Sequence, residues 1–239
     1  MHASPLRTKM IPTFSELIEQ FSSFASTPAA VGVLITAGII VAITDWRASV
    51  FALACQSIFA GLLFSRVLPP QLAGVKMIVG LLICVQIFLT ARQIASKKKS
   101  EAKTVIVNPD DQNGTAEAAS PDQSPFKNIA VGLPFRVVAV IMIMIVGWQL
   151  SQVPDLNVSG LPSAVSLAAF GLAGLGLLGL GLTEEPLKVG MLLITVLMGF
   201  EMYYAAVEPS LAVMALLAIV DFAVTLGACY LAAVRRGEA

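Results

Sequence analysis

Long apolar stretches, each about as long as a membrane-crossing helix, recur along this chain. A helix must run for about 20 apolar residues to cross the ~30 Å hydrocarbon core of a bilayer. The stretches that meet this requirement lie near residues 28–46, 48–67, 71–92, 132–151, 162–182, 187–207 and 209–234. Because backbone polar groups in hydrocarbon must be hydrogen-bonded within the protein, such a stretch adopts a helix. The sequence therefore predicts an all-α, polytopic membrane helix bundle with about seven transmembrane helices.

The composition excludes a soluble globular protein. Hydrophobic residues make up 57% of the chain, charged residues 13%, and the mean hydropathy is +0.85. A soluble domain has about 45–50% apolar and about 25% charged residues. The single histidine and the three widely separated cysteines have no metal-ligand spacing. We therefore expect no cofactor and no metal in this chain, and no redox catalysis by the chain alone.

A polar segment divides the apolar chain into two parts. Residues 94–131 are rich in Ser, Asp, Pro and Ala, a composition that cannot bury a core. We expect a disordered cytoplasmic linker there. It separates a three-helix membrane half at 28–93 from a four-helix membrane half at 132–239, and residues 1–27 form an N-terminal segment.

Two local patterns refine this prediction. Thr13-x-x-Glu16 is a capping-box pattern before apolar residues at helical spacing, which predicts a separate short amphipathic helix in the N-terminal segment. The fifth span is dense in small residues, among them Ala169 and Ala173 one turn apart. Small residues let helix backbones approach closely, so this span is expected to pack tightly against a neighbour.

Lysine and arginine are unevenly distributed between the two ends of the predicted spans, which sets the orientation in the membrane. If the linker is cytoplasmic, ten basic residues lie inside and three lie outside. The inside set is Arg47, Arg92, Lys97, Lys98, Lys99, Lys103, Lys127, Lys188, Arg235 and Arg236, and the outside set is Arg7, Lys9 and Arg66. We therefore expect the N-terminus outside and the C-terminus in the cytoplasm.

Charged residues inside apolar spans are the candidates for function, since a charge in hydrocarbon costs several kcal/mol unless it is paired, wetted or protonated. They are Lys76, Arg136, Glu201 and Asp221. Arg136 is near a span end, where its long side chain reaches the interface. Lys76 either extends to the interface in the same way or pairs with a carboxylate as part of a proton relay.

The two carboxylates on neighbouring spans favour a protonatable pair. Asp221 lies near the middle of the last span, and its alternative role is structural, with a hydrogen bond to Thr225 one turn away. Glu201 lies closer to a span end, followed by two tyrosines, and its alternative role is to tether the helix to the interface. With Lys76, these residues are the proton-path candidates: Lys76, Glu201 and Asp221.

The C-terminal half resembles a known family at these same positions. Gly199-Phe200-Glu201, then Asp221 in the next helix and Arg235-Arg236 at the end, resemble the K subunit of NADH-quinone oxidoreductase and the C subunit of Mrp-type cation antiporters. The K subunit carries glutamate where this chain has Asp221. Its loop between the two helices is also longer than the one in this chain.

The chain as a whole resembles component E of hydrogenase-4. The segments WRASVFALACQSI and GVKMIVGLLICVQIFLTARQI, the second with Lys76 in place, are similar to its second and third spans. The resemblance implies a bacterial or archaeal cell-membrane subunit of a complex-I-like or group 4 hydrogenase-like complex. Its partners would be antiporter-like and other membrane subunits, and the carboxylates would form part of a proton or sodium path.

Two alternatives to this function stay open at the level of sequence. In the first, the chain is a stand-alone small transporter that uses the same carboxylates. In the second, it is a structural membrane adaptor without ion transfer. None of the three functions gives the chain nucleic acid as a partner.

Overall fold

The computed structural model describes residues 14–43, 45–105, 125–153 and 161–235, and within these ranges the chain forms seven helices. The helices are α1 (Phe14–Ala42), α2 (Trp46–Phe64), α3 (Pro70–Val105), α4 (Pro125–Ser151), α5 (Ser163–Leu182), α6 (Pro186–Val207) and α7 (Leu211–Val234). Six of them, α2 to α7, are long and apolar enough to cross a membrane, and α1 contributes a shorter apolar helix, Thr27–Ala42. The predicted all-α membrane fold is confirmed, and the chain is a multi-pass membrane protein.

Proline and aspartate mark where several helices begin. Pro186 is the first residue of α6, where the missing N–H costs no intrahelical hydrogen bond, and Pro162 caps α5. Asp45 caps α2, and its side chain accepts a hydrogen bond from the backbone N–H of Arg47 at 3.1 Å. These starts match the predicted span boundaries to within a few residues.

Three helix bounds differ from the predictions. The N-terminal helix starts at Phe14 and continues into the first span, so the expected amphipathic helix is not a separate element. Helix α3 continues to Val105 and α4 begins at Pro125, so both extend into the predicted linker. Polar composition did not end α3 because Lys, Glu and Ala, which are frequent at 94–105, are good helix formers. The remaining linker residues, 106–124, lie outside the described ranges, and their disorder stays a prediction.

The helices pack as two facing rows. One row is α1, α2 and α3, and the other is α5, α6 and α7; α1 faces α5, α2 faces α6 and α3 faces α7, while α4 packs outside against α5 and α1. One end of the bundle carries the ends of α1, α3, α5 and α7 and the starts of α2, α4 and α6. We call it the linker face, since residues 106–124 join two of these helices there. The other end is the opposite face.

The contact between α5 and α6 depends on Gly199. A Cβ added at this position would lie 2.7 Å from the carbonyl oxygen of Ala169 and 2.8 Å from the backbone nitrogen of Ala173. Both atoms belong to backbone and cannot move aside as a side chain could. The close packing predicted for Ala169 and Ala173 is therefore confirmed, and Gly199 is its counterpart on α6.

We expect Gly199→Ala to destabilise the bundle by about 1–3 kcal/mol, the usual cost of overpacking a close contact. Gly227→Ala is the matched control, because a Cβ there meets nothing within 4 Å and lies on a helix. Alanine is the better helix former, so the control should gain up to about 1 kcal/mol. Thermal unfolding of the purified variants in detergent measures both, and equal stability of the two variants would contradict the packing argument.

Candidate functional site: a buried lysine–dicarboxylate cluster

The structure brings the three proton-path candidates into direct contact. The Lys76 Nζ on α3 donates to the Glu201 Oε1 on α6 at 2.5 Å and to the Asp221 Oδ2 on α7 at 2.8 Å. One ammonium group therefore bridges two carboxylates from two different helices. These contacts define the Lys76–Glu201–Asp221 cluster.

The cluster is buried well inside the bundle. Glu201 is 1% exposed and Asp221 is 6% exposed. About 9 Å of helix rise separates Glu201 from Val207 at the end of α6, and about 15 Å separates Asp221 from Leu211 at the start of α7. Carboxylate side chains are too short to reach bulk water across such distances. The charges of the cluster are therefore stabilised by one another and by groups within the bundle.

Small residues on α2 allow α3 to approach closely enough to place Lys76. A Cβ on Gly80 would lie 2.9 Å from the Ser57 hydroxyl, and one on Gly61 would lie 2.9 Å from the Cβ of Met77. Helices α2 and α3 therefore meet with little space between their backbones over the turn of α3 that follows Lys76. This close approach directs Lys76 towards α6 and α7.

A small cavity of about 20 Å³ adjoins the cluster. Its walls include Ser57, Phe64 and Met198, and within the described part of the chain Lys76, Glu201 and Asp221 are its only charged lining residues. A cavity needs roughly 10–15 Å³ of such volume to hold one water molecule. The site therefore has room for about one water and excludes an organic substrate.

These positions decide between the roles that the sequence left open. Lys76 pairs with both carboxylates, so the alternative that it extends to the interface is wrong. The Thr225 hydroxyl donates to the backbone carbonyl of Asp221 at 2.8 Å and not to its carboxylate. Glu201 is buried and is not an interfacial tether. Arg136 donates to the carbonyl of Leu182, the last residue of α5, at 3.3 Å.

Sequence reasoning missed a set of buried polar residues between α2 and α6. Gln56 is 0% exposed; its Nε2 donates to the Thr195 hydroxyl at 3.3 Å and to the Met198 sulfur at 3.7 Å. Lys188, assigned to the cytoplasmic loops, is only 4% exposed and donates to the Ile43 carbonyl at 2.7 Å. Their spacing on α6 could have indicated a shared polar face, because Lys188 and Thr195 are seven residues apart and therefore lie on one side of the helix.

The charges of the cluster do not balance. One ammonium and two ionised carboxylates give a net charge of −1 in a bundle of apolar helices. An uncompensated charge in such surroundings costs several kcal/mol. Addition of one proton to either carboxylate makes the cluster neutral. The arrangement is therefore suited to take up and release a single positive charge.

No protein-family model matches this chain, and neither does any curated protein or any solved structure. The resemblance to hydrogenase-4 component E and to K-type subunits rests on the short segments quoted above. What it implies about function therefore enters only as a proposal.

Proposed function

We propose that this protein is a non-catalytic membrane subunit that takes up and passes a proton at the Lys76–Glu201–Asp221 cluster. The observation that carries the proposal is one buried ammonium held between two buried carboxylates. Proton transfer needs a group whose protonated and deprotonated states are close in free energy. Burial of a net charge disfavours the −1 state of the cluster, whereas the ammonium of Lys76 favours it, and these opposing effects bring the −1 and neutral states closer together.

The geometry favours a proton over a sodium ion or an organic substrate. The ammonium of Lys76 already lies between Glu201 and Asp221, so a metal cation that bound both carboxylates would have to displace it. A proton only adds to one carboxylate oxygen. The adjoining cavity of about 20 Å³ is too small for a transported metabolite. This argues against the stand-alone transporter of organic substrates, while sodium remains a competitor that the test below includes.

The sequence resemblance supports a place for this chain in a larger assembly. If the resemblance holds, the partners are antiporter-like and other membrane subunits of a complex-I-like or group 4 hydrogenase-like complex in a bacterial or archaeal cell membrane. Electron transfer would take place in other subunits, and this chain would carry part of the proton path. A structural adaptor is the competing function, in which the cluster only joins α3, α6 and α7.

Infrared spectroscopy of the purified protein in lipid nanodiscs tests proton uptake directly. A protonated carboxyl in an apolar site has a carbonyl band distinct from that of carboxyls in water. Outside the cluster, the carboxyl side chains at residues 27–96 and 161–235 of the described chain are exposed; they are Asp45, Glu184, Glu185 and Glu208. We expect such a band in the wild type to grow as the pH is lowered and to shift in D₂O.

Charge balance predicts how variants change this band. Both Glu201→Gln and Asp221→Asn leave one carboxylate for one ammonium, a neutral pair that no longer needs a proton. The band should therefore be lost in each single variant. A band that persists in both variants belongs to another group and contradicts the proposal. Loss of the wild-type band on addition of Na⁺, but not of K⁺, would instead identify sodium as the ion.

A further inference from the structure

The two sides of the cluster, towards the opposite face and towards the linker face, differ in their described residues. On the side of the opposite face, Phe64 (2% exposed) lines the cavity, and Met202 and Ala205 (both 0% exposed) follow Glu201 along α6. These side chains are apolar and closely packed. On the side of the linker face, three buried polar residues lie among the apolar ones between α2 and α6: Gln56, Thr195 and Lys188.

These polar residues lie between the cluster and a larger cavity at the linker face. This cavity of about 500 Å³ is lined by Ser49, Lys188 and Met191, among others. The Thr195 hydroxyl donates to the carbonyl of Met191 at 3.0 Å and accepts from Gln56, whose other contact, Met198, lines the small cavity of the cluster. About 20 Å of helix rise separates Lys188 from Glu201, and Thr195 lies about midway between them on α6.

Gln56 in the middle of this series has an unsatisfied acceptor. Its Oε1 is buried and has no hydrogen-bond partner. Exchanging the two ends of the amide does not solve this, since the Thr195 hydroxyl already donates to Met191 and the Met198 sulfur has no hydrogen to give. A buried acceptor without a partner is unfavourable, and water commonly satisfies such groups.

Lys188 has a similar need at the linker-face end. Its three N–H donors have one acceptor in the described part of the chain, the Ile43 carbonyl, and the side chain is in no ion pair there. It lines the large cavity, which has ample room for water. Gln56 in the middle of the series and Lys188 at its linker-face end therefore both lack partners that water would supply.

We propose that Gln56, Thr195 and Lys188 form a hydrated path by which protons reach the Lys76–Glu201–Asp221 cluster from the linker face. The inference rests on the proposed function and adds a route and a direction to it. Water bridging the Gln56 Oε1 would continue the polar series past Met198 towards Ser57 and the cluster. Phe64 and Met202 would keep the other side closed in this conformation.

The rate at which the cluster proton exchanges with solvent tests this path. After rapid mixing of the wild-type protein in nanodiscs with D₂O buffer, the shift of the buried carboxyl band reports the arrival of deuterons. We expect Gln56→Leu to slow the exchange by roughly tenfold or more, which corresponds to about 1.4 kcal/mol or more in the barrier. Thr195→Val, a change that keeps the side-chain shape, should slow it in the same direction.

The intensity of the band at equilibrium provides the separate readout. Neither variant touches the cluster, so the band should keep its wild-type intensity while its exchange slows. Thr36→Val is the matched control, since Thr36 is buried on α1 and bonds only to carbonyls of its own helix. It should exchange at the wild-type rate.

Two outcomes would overturn the inference in distinguishable ways. If Gln56→Leu and Thr195→Val both exchange like the wild type, the path is wrong and proton uptake by the cluster stands. If the wild type shows no buried carboxyl band at any pH, the proposed function fails and the path fails with it. Should Gln56→Leu not fold, Thr195→Val alone decides the first of these.

Discussion

Replacement of Lys76 by methionine is expected to cost about 3–5 kcal/mol of stability, the usual effect of removing one partner from a buried ion pair. Methionine fills a similar space, so packing changes little, but Glu201 and Asp221 lose their only described cation. The two carboxylates then lie side by side in an apolar bundle. Thermal unfolding of the purified variant in detergent measures the loss.

The triple variant Lys76→Met, Glu201→Gln, Asp221→Asn separates charge from packing. It has no charge left in the cluster, so most of the lost stability should return. Arg92→Met is the control for removal of a cation from α3, because Arg92 is exposed and its loss should change stability by about 0.5 kcal/mol or less. If Lys76→Met is as stable as the wild type, the contacts of Lys76 contribute nothing and the cluster is not the electrostatic unit described above.

The sequence was sufficient to predict the fold class, because in a membrane the backbone itself demands helices and apolar length determines where they lie. The starts of α5 and α6 could be predicted from Pro162 and Pro186, because a proline lacks the N–H that a helix interior needs and is tolerated at a helix start. The ends of α3 and the start of α4 were predicted less well. Both helices extend beyond their apolar segments there. In α3, the residues after the apolar segment include Lys, Glu and Ala, whose helix propensity gives no sign of where the helix ends.

The members of the site could be found from sequence, but not their pairing. A charged residue within an apolar segment can be recognised from the sequence alone, and Lys76, Glu201 and Asp221 were selected for this reason. Whether Lys76 turns outward or inward depends on how α3 is rotated against α2, and that follows from contacts such as Ser57 with Gly80. Gln56 was overlooked because an uncharged amide in an apolar run looks ordinary until its burial and unpaired oxygen are known.

The burial of Glu201 also changes what is expected of its variants. From the sequence, Glu201 lies nearer to a span end than Asp221, so water could have bypassed it. In the structure Glu201 is the less exposed of the two, and both contact the same ammonium. We therefore expect Glu201→Gln to be as severe as Asp221→Asn.

Asp221→Asn is expected to abolish proton transfer while leaving the bundle assembled. The amide keeps the shape of the side chain but cannot take up the proton. Loss of a positioned proton-transfer group slows transfer by roughly 10²–10⁴-fold. If the chain belongs to the complex proposed above, sealed vesicles that hold this complex should keep electron transfer when it is uncoupled from ion movement, while acidification of the lumen is lost.

Asp221→Leu distinguishes the proton path from a structural adaptor. Leucine leaves a neutral Lys76–Glu201 pair and adds apolar contacts, so the bundle should be at least as stable as the wild type. Thr225→Val is the matched control: it removes a buried polar group one turn away without removing a titratable one. If the cluster passes protons, Asp221→Asn and Asp221→Leu both fail to acidify the vesicles, although the leucine variant is stable, and Thr225→Val acidifies normally. Normal acidification by both Asp221 variants, beside normal electron transfer, would mean that the cluster only holds α3, α6 and α7 together.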